Sequence, residues 1–154
     1  MVMVSKSKIQ TQKFAAKLAK KIVSQATGKN AKVLALVGDL GSGKTAFTGG
    51  FIKSLGIKTH VPSPTFVIFR RYPISDLKLK IKDLKFKNIF HFDLYRIQKP
   101  KEIIDLDFKK IIKNPENIVL IEWPEKILKY LPKDTIKVFL SHSKKEKERI
   151  INIK

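Results

Sequence analysis

The chain has 154 residues, 43% of them hydrophobic and none of them cysteine, which suits one globular domain over residues 1–154 and excludes a disulfide framework, a thiolate nucleophile and a thiolate metal site. Its three histidines are too scattered to mark a metal cluster by spacing, and no stretch approaches the roughly 20 apolar residues that span a bilayer, so the expected location is cytoplasmic and away from membranes. A net charge of +20, from 33 Lys+Arg against 13 Asp+Glu, suits a polyanionic partner, yet the lysines run along the whole chain with no recognisable nucleic-acid module.

In chain order, Thr11 to about Gln25 predicts an amphipathic helix, with Phe14, Leu18 and Ile22 at spacing i, i+4, i+8 and a stop at Thr27-Gly28. The run Val33-Leu34-Ala35-Leu36-Val37 predicts a short buried strand. It leads into Gly38-Asp39-Leu40-Gly41-Ser42-Gly43-Lys44-Thr45, a complete G-x-x-x-x-G-K-T loop, and Ala46-Phe47 opens a helix to about Leu55, ending at Gly56. Within that helix Gly49 and Gly50 each cost about 1 kcal/mol relative to alanine, so close packing is expected there. Residues 66–95 read as β-rich: Phe66 to Phe69 is an apolar run, Leu77 to Lys82 alternates with period two, and Ile89 to Phe92 forms another strand closing on Asp93. Pro100 opens a helix to about Lys113, with Ile103, Ile104, Phe108, Ile111 and Ile112 on its apolar face. Ile118 to Ile121 is a buried strand, Glu125 to Leu131 a short helix stopped by Pro132, and Thr135 to Leu140 with Arg149 to Ile153 a hairpin across a charged turn. The expected fold is α/β: a single P-loop NTPase-like domain whose mostly parallel central sheet is flanked by helices, with a β-hairpin insertion and antiparallel C-terminal strands.

The loop carries the strongest chemistry. Glycines let its backbone curl so that successive N–H groups point at phosphate oxygens, where side chains would block the approach. Lys44 then offsets phosphate charge, the Thr45 hydroxyl takes one position on Mg²⁺, and the following helix aims its positive end at the same anion. The nucleotide-contacting set is accordingly Asp39, Leu40, Gly41, Ser42, Gly43, Lys44, Thr45 and Ala46, and the cofactors expected are ATP and Mg²⁺.

Such a loop needs partners elsewhere to hold metal and water. Glu122 ends the apolar strand 118–121, where a Walker B carboxylate belongs, with glutamate in place of the usual aspartate. Asp93 follows the strand 89–92 within His91-Phe92-Asp93-Leu94-Tyr95-Arg96, a carboxylate, an imidazole and a guanidinium within six residues, suited to a metal, a proton and a phosphate respectively. Both carboxylates are expected to act in catalysis and at the metal. Ser63-Pro64-Thr65 suits a switch-like segment presenting Thr65 to Mg²⁺ or the γ-phosphate, and Trp123 serves either packing or recognition.

Taken together and in order, Gly38 to Thr45, Ser63-Pro64-Thr65-Phe66, His91 to Arg96 and Ile121-Glu122-Trp123-Pro124-Glu125 resemble the TsaE (YjeE) family, bacterial ATPases of tRNA threonylcarbamoyladenosine biosynthesis. The resemblance covers nearly the whole chain, and its Asp-Leu-Tyr-Arg and Glu-Trp-Pro-Glu segments are more telling than the loop. It implies a small P-loop fold that binds ATP and Mg²⁺ and hydrolyses ATP slowly alone. It also implies work with TsaB and TsaD proteins, which transfer threonylcarbamoyl to an adenosine next to the tRNA anticodon, so that tRNA is met through the complex. By motif, Lys44 and Thr45 hold phosphate and metal, Asp93 and Glu122 serve metal and water, and Thr65 lies in a nucleotide-sensing segment. A lysine-rich stretch, residues 75–88, is longer than the resemblance leads one to expect, and Lys78, Lys80 and Lys82 on it offer electrostatic steering. Two other classes share the loop: a small P-loop kinase, which lacks here an obvious arginine-rich lid, and a GTP-dependent switch protein, which lacks here the Asn-Lys-x-Asp guanine signature.

Overall fold

The computed structural model describes residues 1–25, 28–57, 68–74 and 85–154. In order these are β1 (Val2–Ser5), α1 (Lys8–Val23), β2 (Lys32–Val37), α2 (Lys44–Ser54), β3 (Phe69–Pro73), β4 (Asn88–Asp93), α3 (Lys101–Ile104), α4 (Phe108–Lys113), β5 (Asn117–Glu122), a 3₁₀ turn (Glu125–Tyr130), β6 (Ile136–His142) and β7 (Arg149–Ile153). Seven strands make one sheet in the order β1-β7-β6-β2-β5-β4-β3. The four central strands β6, β2, β5 and β4 run parallel. Antiparallel β7 and β1 extend one edge, and antiparallel β3 closes the other. The mostly parallel sheet with antiparallel C-terminal strands is therefore the architecture observed.

Alternation along the strands splits the core into two layers. Leu34, Leu36, Ile118 and Leu120 meet α1 and α2 on one face, through Ala15, Ala19, Ile22, Phe47 and Phe51. Val33, Val119, Ile121, Phe90 and Phe92 meet α3, α4 and the 3₁₀ turn on the other, through Ile103, Phe108, Ile112 and Ile127. Every residue of β5 is buried, which its apolar run dictates for a central parallel strand. Because β2 is flanked by β5 and β6, the carboxyl ends of these strands form the crevice where doubly wound sheets place ligands.

The glycines of α2 divide in role. A Cβ on Gly50 would stand 2.5 Å from Gln12 Cα and 2.6 Å from Gln12 O, so this position lets α1 and α2 touch backbone to backbone. A Cβ on Gly49 would meet no described atom within 4 Å.

Several local expectations change. α1 begins at Lys8, because the Ser7 hydroxyl accepts the Gln10 N–H and caps it, and it ends at Val23. Its buried line is Thr11, Ala15, Ala19, Ile22 and Val23, while Phe14 and Leu18 pack at the margin. The expected helix from Pro100 to Lys113 breaks at residues 105–107, with Asp107 at φ 57°. In an unbroken helix Ile103 and Phe108 would point about 140° apart. The break brings both into one core, where each is fully buried. The helix 125–131 is a 3₁₀ turn ending at Tyr130. Of the apolar run 66–69, Phe66 and Val67 lie outside the described residues and Phe69 opens β3, which runs on through Arg70 and Arg71 to Pro73 on the sheet edge, where a missing N–H is tolerated. β1 carries no alternation long enough to read from sequence. Ser63-Pro64-Thr65, His60 and the alternating segment 77–82 with Lys78, Lys80 and Lys82 lie outside the described residues. No described helix is long and apolar enough to cross a membrane.

Candidate functional site

β2 delivers the loop to the carboxyl edge of the sheet. At its start Gly38 has φ 155°, and a Cβ there would lie 2.1 Å from Leu140 O on β6, so only glycine lets the loop leave β2 this close to its neighbour. Gly43, at φ 102°, stands at the N-cap of α2 with no side chain over the first turn. Asp39 and Leu40 at the tip are exposed, Ser42 is buried, and Ala46 is half-buried. The Ser42 Oγ has no hydrogen-bond partner among the described residues.

Lys44, 5% exposed, folds back into the loop. Its Nζ donates to Gly38 O at 2.6 Å and Asp39 O at 2.8 Å and sits 3.6 Å from the Trp123 ring centroid. Burial pulls its pKa below the usual lysine range, against the opposing pull of Glu122, Glu125, Asp93 and Asp39. A buried ammonium among four carboxyl groups and a ring face is poised to exchange those contacts for a stronger anion.

The exposed Thr45, first turn of α2, donates its hydroxyl to Glu122 Oε2 at 2.9 Å. Glu122, 1% exposed at the end of β5, is paired across the sheet with Asp93 on one side and Leu36 on the other. Its second oxygen, Oε1, lies 2.8 Å from Nε2 of the fully buried His91. Asp93 is half-buried and accepts the Tyr95 N–H at 3.1 Å. Immediately after Glu122, Trp123 takes φ 59°, a left-handed conformation that costs a bulky residue about 1–3 kcal/mol. That turn carries its ring over Lys44 and to 5.0 Å from the exposed Tyr95 ring. Trp123, left open between packing and recognition in sequence, thus covers the loop lysine.

The structure therefore gathers Lys44, Thr45, Asp93 and Glu122 from three separate elements at one sheet edge, with Asp39 to Gly43 and Ala46 around them. Thr65 is outside the described residues, and Arg96 is exposed just after β4. Thr45, Glu122 and Asp93 offer the hard oxygens that Mg²⁺ takes. Among the described residues no group of three or more His, Asp or Glu could hold a metal by itself.

Sequence reasoning missed the outer wall. His142 Nε2 lies 3.1 Å from Leu40 O, and Arg149 Nε donates to Gly41 O at 3.1 Å. Arg149 also donates through one terminal nitrogen to Glu146 O at 2.6 Å and Glu148 O at 2.8 Å. Each lies more than a hundred positions from the carbonyl it meets; the parallel pairing of β6 with β2 brings His142 there, and the antiparallel return of β7 on β6 brings Arg149. His91 was legible as a neighbour of Asp93, but its burial against Glu122 was not.

Comparison with known proteins identifies the family. The family model described as "Threonylcarbamoyl adenosine biosynthesis protein TsaE" matches residues 5–151. A tRNA threonylcarbamoyladenosine biosynthesis protein TsaE from Rickettsia prowazekii is 41% identical over 126 residues, 81% of this chain and 74% of that protein. The TsaE of Bacillus subtilis is 33% identical over 128 residues, 83% and 73% of the two chains. The crystal structure of YdiB from the same organism superposes with a TM-score of 0.67 at 25% identity, covering 99% of this chain and 83% of that one. The loop, its acidic partners and the match over nearly the whole length lead to one statement: the chain belongs to the TsaE family of tRNA threonylcarbamoyladenosine biosynthesis proteins.

Proposed function

We propose that this protein is a cytoplasmic, single-domain, Mg²⁺-dependent ATPase subunit of the tRNA threonylcarbamoyladenosine machinery, slow alone and stimulated by TsaB-like and TsaD-like proteins. The observation that carries the reading is the 2.9 Å hydrogen bond between Thr45 Oγ1 and Glu122 Oε2. It joins the hydroxyl after the loop lysine to a carboxyl group at the end of the neighbouring parallel strand, the pair that P-loop enzymes use to hold a metal beside the β- and γ-phosphates. When bound, Mg²⁺ supplies charge neutralisation of those phosphates. The loop N–H groups and Lys44 bind the phosphates, and Thr45, Glu122 and Asp93 between them hold the metal and the attacking water. Thr65 senses the nucleotide. No arginine stands in a motif that marks a cis arginine finger, a group that supplies about 10³-fold or more in rate, so a partner protein completes the site.

The test is phosphate release from ATP by the wild type and by Lys44→Ala, with and without TsaB-like and TsaD-like proteins, at low and high salt. Slow release alone, faster release with the partners and none from the variant is the expected pattern. Full activity in isolation, insensitive to partner and salt, overturns partner dependence. Unchanged ATP affinity in folded Lys44→Ala overturns the loop assignment. Tighter binding of GTP than ATP overturns the choice of nucleotide.

A further inference from the structure

The carboxyl group of Glu122 is held at both oxygens inside the protein, one by Thr45 and the other by a residue with no part in the proposed function. His91 lies on β4, one strand over, fully buried, with Nε2 2.8 Å from Glu122 Oε1. The parallel register sets His91 opposite Leu120 and Asp93 opposite Glu122. The imidazole therefore reaches along the sheet from two residues back to meet the carboxyl from below, while the upper oxygen faces Thr45.

We infer that His91 is a positioning residue for Glu122: its Nε2–H donates to Oε1 and fixes the rotamer that presents Oε2 to Thr45 and to the metal side of the site. The hydrogen-bond inventory selects this tautomer. Nδ1 is buried with no hydrogen-bond partner among the described residues. The Nε2–H form leaves a bare lone pair there and gives the carboxyl oxygen a donor. The Nδ1–H form strands a buried N–H and sets two lone pairs against each other, the costlier arrangement. A freely rotating glutamate next to a P-loop threonine would satisfy that hydroxyl in several geometries, and a second fixed contact leaves one. The same logic holds for metal-site ligands, whose outer partners typically contribute about 10- to 100-fold to activity or affinity.

The inference rests on the ATPase reading for its kinetic arm and stands apart from it in a nucleotide-free arm. In the nucleotide-free protein, long-range ¹H–¹⁵N NMR of the three histidine rings, with the His91 signal assigned by its loss in His91→Gln, is expected to give an Nε2–H tautomer whose Nε2 resonance moves in Glu122→Gln. An Nδ1–H tautomer overturns the inference. In the kinetic arm, with partners present, His91→Leu is expected to lower kcat about 10- to 100-fold with little change in KM for ATP. His91→Gln, which carries an amide donor near the Nε2 position, restores most of it, whereas His91→Asn, whose donor sits near the Nδ1 position, does not. The double variant His91→Leu with Glu122→Gln is expected to be no slower than Glu122→Gln alone, since His91 acts through Glu122. Losses that multiply, or Gln and Asn variants of equal rate, overturn the inference, and the Gln–Asn comparison decides it should His91→Leu fail to fold. A wild type that releases no phosphate while the ring is Nε2–H overturns the ATPase reading and upholds the His91–Glu122 contact.

Discussion

Two adjacent glycines in α2 should respond to the same substitution with opposite signs. Alanine in a helix interior gains about 1 kcal/mol over glycine, so each change starts from the same benefit. At Gly49 a Cβ meets nothing described within 4 Å, and the benefit is kept. At Gly50 the added methyl would lie 2.5 Å from Gln12 Cα, 2.6 Å from Gln12 O and 2.8 Å from Gln12 Cβ. Carbon contacts settle near 3.5–4.0 Å, so α1 must retreat by about 1 Å along its closest line to α2. Overpacking of this kind costs about 1–3 kcal/mol, and here the upper part of that range applies because the obstacle is backbone and no rotamer change relieves it. The net for Gly50→Ala is a loss of about 1–2 kcal/mol. At this chain length 1 kcal/mol moves Tm by roughly 2–4 °C, so Gly49→Ala should rise by about that much and Gly50→Ala should fall by about 2–8 °C. Thermal unfolding followed by circular dichroism reads both. A Gly50→Ala Tm at or above wild type would refute the account of the α1–α2 contact.

Three further predictions concern the site. Because burial lowers the pKa of Lys44, its folded-state value lies below its unfolded one, and the stability it contributes is present above the ordinary lysine range and lost as pH falls through the lowered pKa. The Tm of wild type relative to Lys44→Met should therefore improve as pH rises into the ordinary lysine range, and a difference that is flat or reversed in sign there would contradict the burial argument. Glu122→Gln sets an amide N–H against either the Thr45 hydroxyl or the His91 ring; phosphate release should drop by about 10²-fold or more and the Mg²⁺ requirement should rise, while ATP still binds in a calorimetric titration. Asp93→Asn should raise the Mg²⁺ requirement, and an Mg²⁺ titration unchanged from wild type would remove Asp93 from the metal side of the site.

Much of the fold was legible because its strands are short apolar runs with turn residues on both sides. β2, β4, β5 and the β6–β7 hairpin all stand within a residue or two of where periodicity puts them. The misses have physical causes. In α1 the largest apolar residues, Phe14 and Leu18, look like the core stripe, yet close approach to α2 at Gly50 favours Ala15 and Ala19 on the buried line. The Pro100 helix has continuous apolar spacing, and the left-handed Asp107 that divides it answers to the tertiary demand that Ile103 and Phe108 share one core. β1 is a four-residue edge strand whose sheet partner among the described residues is β7, far away in sequence. In the site, the loop and its two carboxyl groups announce themselves by position after apolar strands. His91 beneath Glu122, and His142 and Arg149 beside the loop, depend on strand neighbours that one sequence does not display.

The grip of His142 and Arg149 on the loop reaches further than the atoms they touch. The carbonyls of Leu40 and Gly41 are turned toward the β6–β7 hairpin, and the described chain has no cis peptide. In a trans peptide plane the C=O and the following N–H point in opposite directions. Each carbonyl drawn outward therefore rotates the N–H of the next residue, Gly41 or Ser42, toward the interior of the loop. Ser42 N donates there to Asp39 O at 3.2 Å. By holding two carbonyls from outside, the hairpin sets the polarity of the loop's concave side, as fingers on the rim of a cup decide which way its mouth faces.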